Sequence, residues 1–410
     1  MNEEKLIPHL FRTEYRKIVA VLCKTFGIAH IETAEDIASD TFLQASETWG
    51  IKGLPENPVA WLYTVAKNKT KNYLKRDKVL LEKIIPQIKH DTEQSEGMEI
   101  DLSEANIKDS QLQMMFAVCH PAIAVEVQIA LALRILCGFG IDEIASAFLT
   151  NKETINKRLF RAKEKLRIEN IAIDTPSAGE INNRLDAVLR TLYLLYNEGY
   201  YTSQSENVLH KELCYEAMRL AHLLIENEQT NLPKVNALFA LMSFHASRFE
   251  ARTDENGELI LYDEQDDSLW NKELIAQGEY FLQQSSKGND LSKYHLEAGI
   301  AYWHTRKEDS KEKWENILQL YNELLILEYS PIIALNRTYV LSKANGIDEA
   351  IAEAEQLQLT DNHLYYTLLG ELYKNKNKNK ATSYLSTALK LAKTKEDKRL
   401  IHDKIQKLNH

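Results

Sequence analysis

Glycine and proline, the residues that interrupt helices, number only 14 and 8 in 410 residues. Leu, Ala, Glu, Lys and Ile fill the intervals between them, and these favour helix throughout. A chain so composed predicts an all-α fold whose boundaries fall where the few breakers gather. They gather at GIKGLPENP (50–58) and at IDTPSAGE (173–180). Helical periodicity runs from about residue 8 to 77, weakens over 78–109, resumes from 110 to about 168, and returns from 181 onward. DTEQSEGMEIDLSE (91–104) is polar and acidic and reads as a flexible linker. After three apolar helices, TDENGELILYDEQDD (253–267) holds an Asn256-Gly257 turn signal and a short β-like run.

The net charge of −10 argues against a nucleic-acid binder only if it is spread evenly, and it is not. Residues 1–170 sum to −1 and residues 171–410 to −9, with the positive charge of the first part gathered into two short segments. Cys23, Cys119, Cys137 and Cys214 form no CxxC pair, the pattern of a reduced cytoplasmic protein without a zinc site. Cys119-His120 is one adjacent pair, short of a ligand set. MNEEKLIPHLF lacks the basic and apolar regions of a signal peptide, and 121–141 is too polar for a span. A cytoplasmic location without membrane contact is expected.

The first basic segment is AWLYTVAKNKTKNYLKR (60–76). At 3.6 residues per turn, Leu62, Val65, Ala66 and Tyr73 share an apolar side, while Lys67, Lys71, Lys75 and Lys78 form a row flanked by Lys69 and Arg76. Like charges at i, i+4 cost roughly 0.2–0.5 kcal/mol per pair in an isolated helix. An anionic partner turns that repulsion into attraction, and each phosphate neutralised releases counterions. Upstream, TAEDIASDTFLQASETW (33–49) places Ile37, Thr41 and Ala45 on one line with Phe42 and Trp49 near it. Glu32, Asp36 and Asp40 lie four apart on the opposite side, a docking face for a basic protein partner, with Thr33 as the expected N-cap.

The second basic segment is IDEIASAFLTNKETINKRLFRAKEKLR (141–167). Ile144, Ala145, Phe148 and Ile155 stand where a helix-turn-helix needs apolar and small residues for close packing. Leu149 occupies the turn position usually held by Gly. The second helix buries Ile155, Leu159, Ala162 and Leu166 and shows Lys152, Asn156, Lys157 and Arg161, with Lys163, Lys165 and Arg167 towards its end. An Asn/Lys/Arg face of this kind suits base edges and phosphates of the major groove.

In the last third, Gly299-x-x-Tyr302, Asn336-x-x-Tyr339 and Gly370-x-x-Tyr373 recur at spacings of 37 and 34, each followed by a partner helix. This is similar to tetratricopeptide repeats. Asp263, Glu264, Asp266 and Asp267 are a carboxylate cluster without Ca²⁺-loop spacing, which reads as a solvated loop rim and not as an enzyme's metal site.

The two basic segments, the acidic helix before them and their order resemble an extracytoplasmic-function (ECF) sigma factor of bacterial RNA polymerase. LYLLYNEGYY, SLWNKELIAQGEYFL and the loose repeats resemble the subgroup with a long C-terminal helical extension. The resemblance implies region 2 over 1–78, a linker over 79–109, a helix-turn-helix region 4 over 110–170, and an extension over 180–410 with repeats from about 291. It implies that Asp36 and Asp40 meet the polymerase β′ clamp helices and that region 4 meets the β flap. Lys52 and Asn57 would meet a flipped base of the −10 element, and Lys67, Asn68, Lys71, Asn72 and Lys75 its strand. Lys152, Asn156, Lys157 and Arg161 would read the −35 element. No cofactor, metal or catalysis is implied, and the extension would regulate by masking DNA or by binding a partner or ligand. A helix-turn-helix regulator with a repeat sensor is the competing reading, but it leaves the 33–77 motifs unexplained.

Overall fold

The computed structural model describes residues 3–84, 100–148, 150–169, 171–177, 179–200, 211–254 and 260–409. Among these the chain is all-α, without a strand. It divides into two compact units, Met1–Leu195 and Tyr196–His410.

The first unit contains α1 (Glu3–Phe26), α2 (Ile31–Lys52), α3 (Pro58–Ile84), α4 (Glu104–Val118) and α5 (Val125–Leu131), which runs on into a π-helical turn at Ala132–Leu136. Then come α6 (Ile141–Ala147), α7 (Lys152–Ile168) and most of α8 (Ile181–Tyr200). Residues 14–16 and 18–23 of α1 are buried on every side, as the central helix of a bundle must be. It packs against both α2 and α4. The regions expected as two small domains are therefore parts of one compact unit. Lys24 Nζ donates to Asn106 Oδ1 (2.9 Å), and Arg12 pairs with Glu143 (3.1 Å), stitching α1 to α4 and α6.

Several boundaries differ from the expected ones. Helix α2 begins at Ile31, not after Thr33, because a 3₁₀ turn at Ile28–His30 feeds directly into it. It stops where Gly53 takes a φ of 81° and its N–H returns to the Trp49 carbonyl (3.0 Å). Pro58 opens α3, with Asn57 Oδ1 accepting from the Ala60 N–H (3.0 Å). Residues 79–84 and 104–109, assigned to the linker, are helical, while 85–99 and the turn residue Leu149 lie outside the described residues. The division of the units falls inside α8, downstream of the Pro176/Gly179 breaker. Arg184 Nη2 donates to the Phe116 carbonyl (2.9 Å) and Thr191 Oγ1 to Gln128 Oε1 (2.8 Å), holding the start of α8 to the first unit.

The second unit contains α9 (Lys211–Glu226), α10 (Pro233–Ala246), α11 (Lys272–Ser285), α12 (Lys293–Trp303), α13 (Lys311–Leu327), α14 (Pro331–Ala344), α15 (Ile347–Leu357), α16 (His363–Tyr373), α17 (Lys378–Leu391) and α18 (Lys395–Asn409). Residues 235–244 of α10 are all buried, between α9, α11 and α12. From α12 onward each helix packs on the next as hairpins stack. Gly370 lets α16 close on α17, since a Cβ there would stand 2.6 Å from Leu385 Cγ. Gly299 faces Leu320 of α13 less tightly, at 3.1 Å. The Asn256-Gly257 turn lies outside the described residues, and the β-like run after it forms no strand in its described part: Ile260 N–H meets the Arg252 carbonyl (2.8 Å), then a 3₁₀ turn follows at Tyr262–Glu264. All four cysteines are buried.

Candidate nucleic-acid interface

The acidic face, the lysine row and the second basic helix all lie in the first unit. On α2, Ile37, Thr41, Phe42, Ala45 and Trp49 point inward, leaving Glu32, Asp36 and Asp40 exposed on the far side. The helix is thus split along its length into a core face and a free carboxylate row.

Leu62 and Ala66 anchor α3 in the core, and Thr70 Oγ1 donates to the Ala66 carbonyl (2.8 Å). Trp61 is half-buried and packs edge-on against Trp49 (5.3 Å between centroids), and Tyr73 sits against Phe26 (5.9 Å). Tyr63 Oη donates to Glu14 Oε2 (2.5 Å), and burial, reinforced by that bond and the Glu14 charge, pushes the phenol well above its usual range. The aromatics of this segment are fasteners to α1 and α2. Asn68, Lys71, Asn72 and Lys75 are exposed, and Lys67 is half-buried. Lys67 lines a groove of about 490 Å³ with Tyr63, Thr64, Ile100, Asp101 and Leu102. Lys52 at the end of α2 and Asn57 in the loop before α3 are exposed, but Asn57 already spends its carbonyl oxygen in capping the helix.

Helix α7 starts at the Asn151 cap, whose Oδ1 accepts from the Thr154 N–H (2.8 Å). Ile155, Leu159, Ala162 and Leu166 are buried, at the i, i+4, i+7, i+11 positions read from the sequence. Ile144 and Ala145 of α6 are buried as well, and the Thr150 N–H meets the Ala145 carbonyl (2.9 Å) at the turn. Lys152, Asn156, Lys157 and Arg161 are exposed together with Phe160, an exposed aromatic that charge counting overlooks. Lys152 pairs with Asp142 and Lys157 with Glu153 (both 2.6 Å), bridges that are exposed and so worth at most about 1 kcal/mol each.

Lys163 departs from the expected outward face. It turns in to Glu35, which also takes the Arg134 Nε–H (3.1 Å). A buried carboxylate needs partners, and α7 supplies one from a helix side that looked solvent-facing. The sequence signal was available only as Glu35 interrupting the apolar side of α2.

Among the described residues no group of three His, Cys, Asp or Glu is placed to hold a metal ion. Nor is any helix there long and apolar enough to cross a membrane. Of the carboxylates at 263–267, Asp266 caps the Ser268 N–H (2.9 Å) and Glu264 reaches Lys407 (3.5 Å).

Residues 10–79, which carry both the carboxylate row and the lysine row, match the sigma-70 region 2 family. A region 2 of this kind supports a sigma-factor-like role in transcription initiation, and it implies binding of core RNA polymerase and promoter DNA. Residues 184–286 match a family of unknown function, DUF6596. The chain is 32% identical over 351 residues to the uncharacterized protein R00370 of Rhizobium meliloti (strain 1021), covering 84% of this chain and 82% of that protein. No solved structure matches.

Proposed function

We propose that the chain is an ECF-type sigma factor with a regulatory C-terminal extension. The observation that carries this reading is the pairing, in one compact unit, of a matched region 2 with a second exposed Asn/Lys/Arg helix face on α7. Asp36 and Asp40 dock on the clamp helices of the polymerase. Lys67, Asn68, Lys71, Asn72 and Lys75 follow the −10 strand, with Lys52 and the free amide of Asn57 at a flipped base. The α6–α7 pair acts as the region 4 helix-turn-helix, where Lys152, Asn156, Lys157 and Arg161 read the −35 element and region 4 also meets the β flap. Residues 1–78, 79–109 and 110–170 act as region 2, linker and region 4. Residues 180–410 act as the extension, whose stacked hairpins from about 291 are tetratricopeptide-like. Sigma-70 family members are transcription factors without an enzymatic step of their own, so the chain's work is positional: it places polymerase on a promoter.

The test is a titration of the full chain against core RNA polymerase, beside Asp36→Lys/Asp40→Lys, followed by run-off transcription. Tight binding lost in the variant supports the reading, and indifference of the native chain to core sinks it unless a shortened chain recovers binding. That shortened chain should end after Tyr200, because Arg184 and Thr191 belong to the first unit's packing. Recovery by the shortened chain would make the extension an inhibitor. Equal transcription and equal response to signals by both would end the regulatory part of the proposal.

A further inference from the structure

The second unit buries positive charge that forms no direct ion pair among the described residues. Around the half-buried ring of Tyr262 stand the Arg248 guanidinium (5.4 Å), the Lys313 ammonium (5.3 Å) and the Lys307 ammonium (5.3 Å). The rings of His304 and Trp270 lie 5.0 and 6.1 Å from it. Arg248 is 9% exposed and Lys313 2%. Among the described residues neither forms an ion pair: Arg248 reaches Tyr200 Oη (3.4 Å), and Lys313 donates to Tyr262 Oη (3.1 Å) and the Arg306 carbonyl (2.6 Å). The neighbouring carboxylates Asp263 and Asp309 act on Lys313 only through space, and Asp309 is engaged by Trp314 Nε1.

Part of this charge has a bracing role. Lys307 spends its donors on the carbonyls of Tyr262 (3.0 Å), Asp263 (3.3 Å) and Gln265 (2.8 Å) and so fixes the loop. The others keep capacity in reserve. Arg248 Nε, Trp270 Nε1, His304 Nδ1 and Gln265 Oε1 are buried and have no hydrogen-bond partner among the described residues. Each such orphan forfeits the hydrogen bonds it had to water, so several around one ring are a poor way to build a passive core. Burying unpaired cations costs more still.

The geometry points to an anion-binding site centred on Tyr262, at which Arg248, Lys313, Trp270 and His304 take a small oxyanion that also carries a hydroxyl. The guanidinium supplies a planar fork suited to phosphate or carboxylate, and Lys313 a point charge. Trp270 Nε1 can only donate, so it too requires an acceptor. Gln265 Oε1 can only accept, and a ligand hydroxyl supplies that proton. The site lies wholly in the second unit and stands apart from the sigma reading.

The test uses the full chain and three probes at fixed ionic strength: inorganic phosphate, which bears a hydroxyl near neutral pH, the hydroxy acid citrate, and sulfate, which has none. Thermal unfolding and tryptophan fluorescence are followed through each titration. Saturable stabilisation of about 3 °C or more is expected from phosphate, citrate or both, as mass action requires of a ligand that binds only the folded state. Sulfate should bind more weakly. A response to phosphate alone assigns the class to phosphates, and a response to citrate alone to hydroxy acids. Arg248→Gln and Lys313→Met should each weaken binding at least tenfold, the conservative Trp270→Phe several-fold, and the exposed Lys311→Gln should leave it unchanged. Absence of a saturable shift with all three anions overturns the site, as does equal affinity in native and Trp270→Phe chains should the two charge variants not fold.

Discussion

Glu35 is the residue whose loss the first unit should feel most. Its side chain is 9% exposed and is held by Arg134 at 3.1 Å and by Lys163. At an effective dielectric near 20, one such attraction is roughly 5 kcal/mol before solvation is counted. Desolvation of the three groups offsets much of that. Replacing Glu35 leaves two half-buried cations facing each other without a counter-charge. Breaking a buried pair by removing one partner costs about 3–5 kcal/mol. Glu35→Leu should fall in that range, and Glu35→Gln, which keeps some hydrogen bonding, nearer its lower end. For a unit of this size about 3 kcal/mol corresponds to a fall of roughly 6–12 °C in Tm. Differential scanning calorimetry of the full chain can follow the transition of the first unit separately from that of the second. A double-mutant cycle with Lys163→Met then isolates the pair, with a coupling of about 1–3 kcal/mol expected. A Glu35→Gln chain within about 0.5 kcal/mol of native, or strictly additive single and double variants, would refute the reasoning.

Three further outcomes can be checked. Lys71→Gln/Lys75→Gln should weaken promoter binding by the polymerase complex and shallow its log–log salt dependence by nearly one unit for each phosphate no longer neutralised, read by filter binding at several salt concentrations. Gly370→Ala should destabilise the second unit by about 1–3 kcal/mol in urea unfolding, because its Cβ would meet Leu385 at 2.6 Å. Gly299→Ala, with 3.1 Å to Leu320, should be close to neutral, since helix propensity returns about 1 kcal/mol. The buried imidazoles predict an acid-labile second unit. His304 is depressed to about 3 by burial and by the nearby Arg248 and Lys313, and His245 is lowered by burial and by Arg248 and Arg252. A base depressed in the folded state contributes stability that is full above its unfolded value and is lost as pH falls below it. Tm should therefore hold above pH 7 and decline from about pH 6.5 downward, by up to about 1.4 kcal/mol per pH unit for each ring. His304→Phe should flatten that decline.

Periodicity made the helix faces legible, because a face repeats every turn and its register survives errors at the ends. The inward set of α7 and the carboxylate row of α2 stand where spacing put them. Local rules failed where a distant residue decides. Lys163 looked solvent-facing on its own helix, and only Glu35, 128 positions earlier, explains its orientation. Thr33 resembled a cap, yet the preceding 3₁₀ turn had already begun the helix. Asn57 reads from the sequence as a polar contact residue, whereas its oxygen serves α3. The cluster around Tyr262 was invisible for the same reason: Arg248, Tyr262, Trp270, His304 and Lys313 come from five separate segments and form no motif.

The four buried cysteines have a practical consequence. Burial pushes the Cys119 and Cys214 thiols up to about 12 and raises Cys23 further still. Nucleophilic thiolate is therefore scarce at these three positions at neutral pH, and burial shields all four thiols from reagents. Maleimides and mild oxidants should leave the folded chain untouched. A single cysteine introduced at an exposed site, Ser383 on α17 for one, would then be the lone reactive handle. Fluorophores or spin labels could be attached there without first stripping the native thiols from the core, so motions of the second unit could be watched in an otherwise unaltered protein.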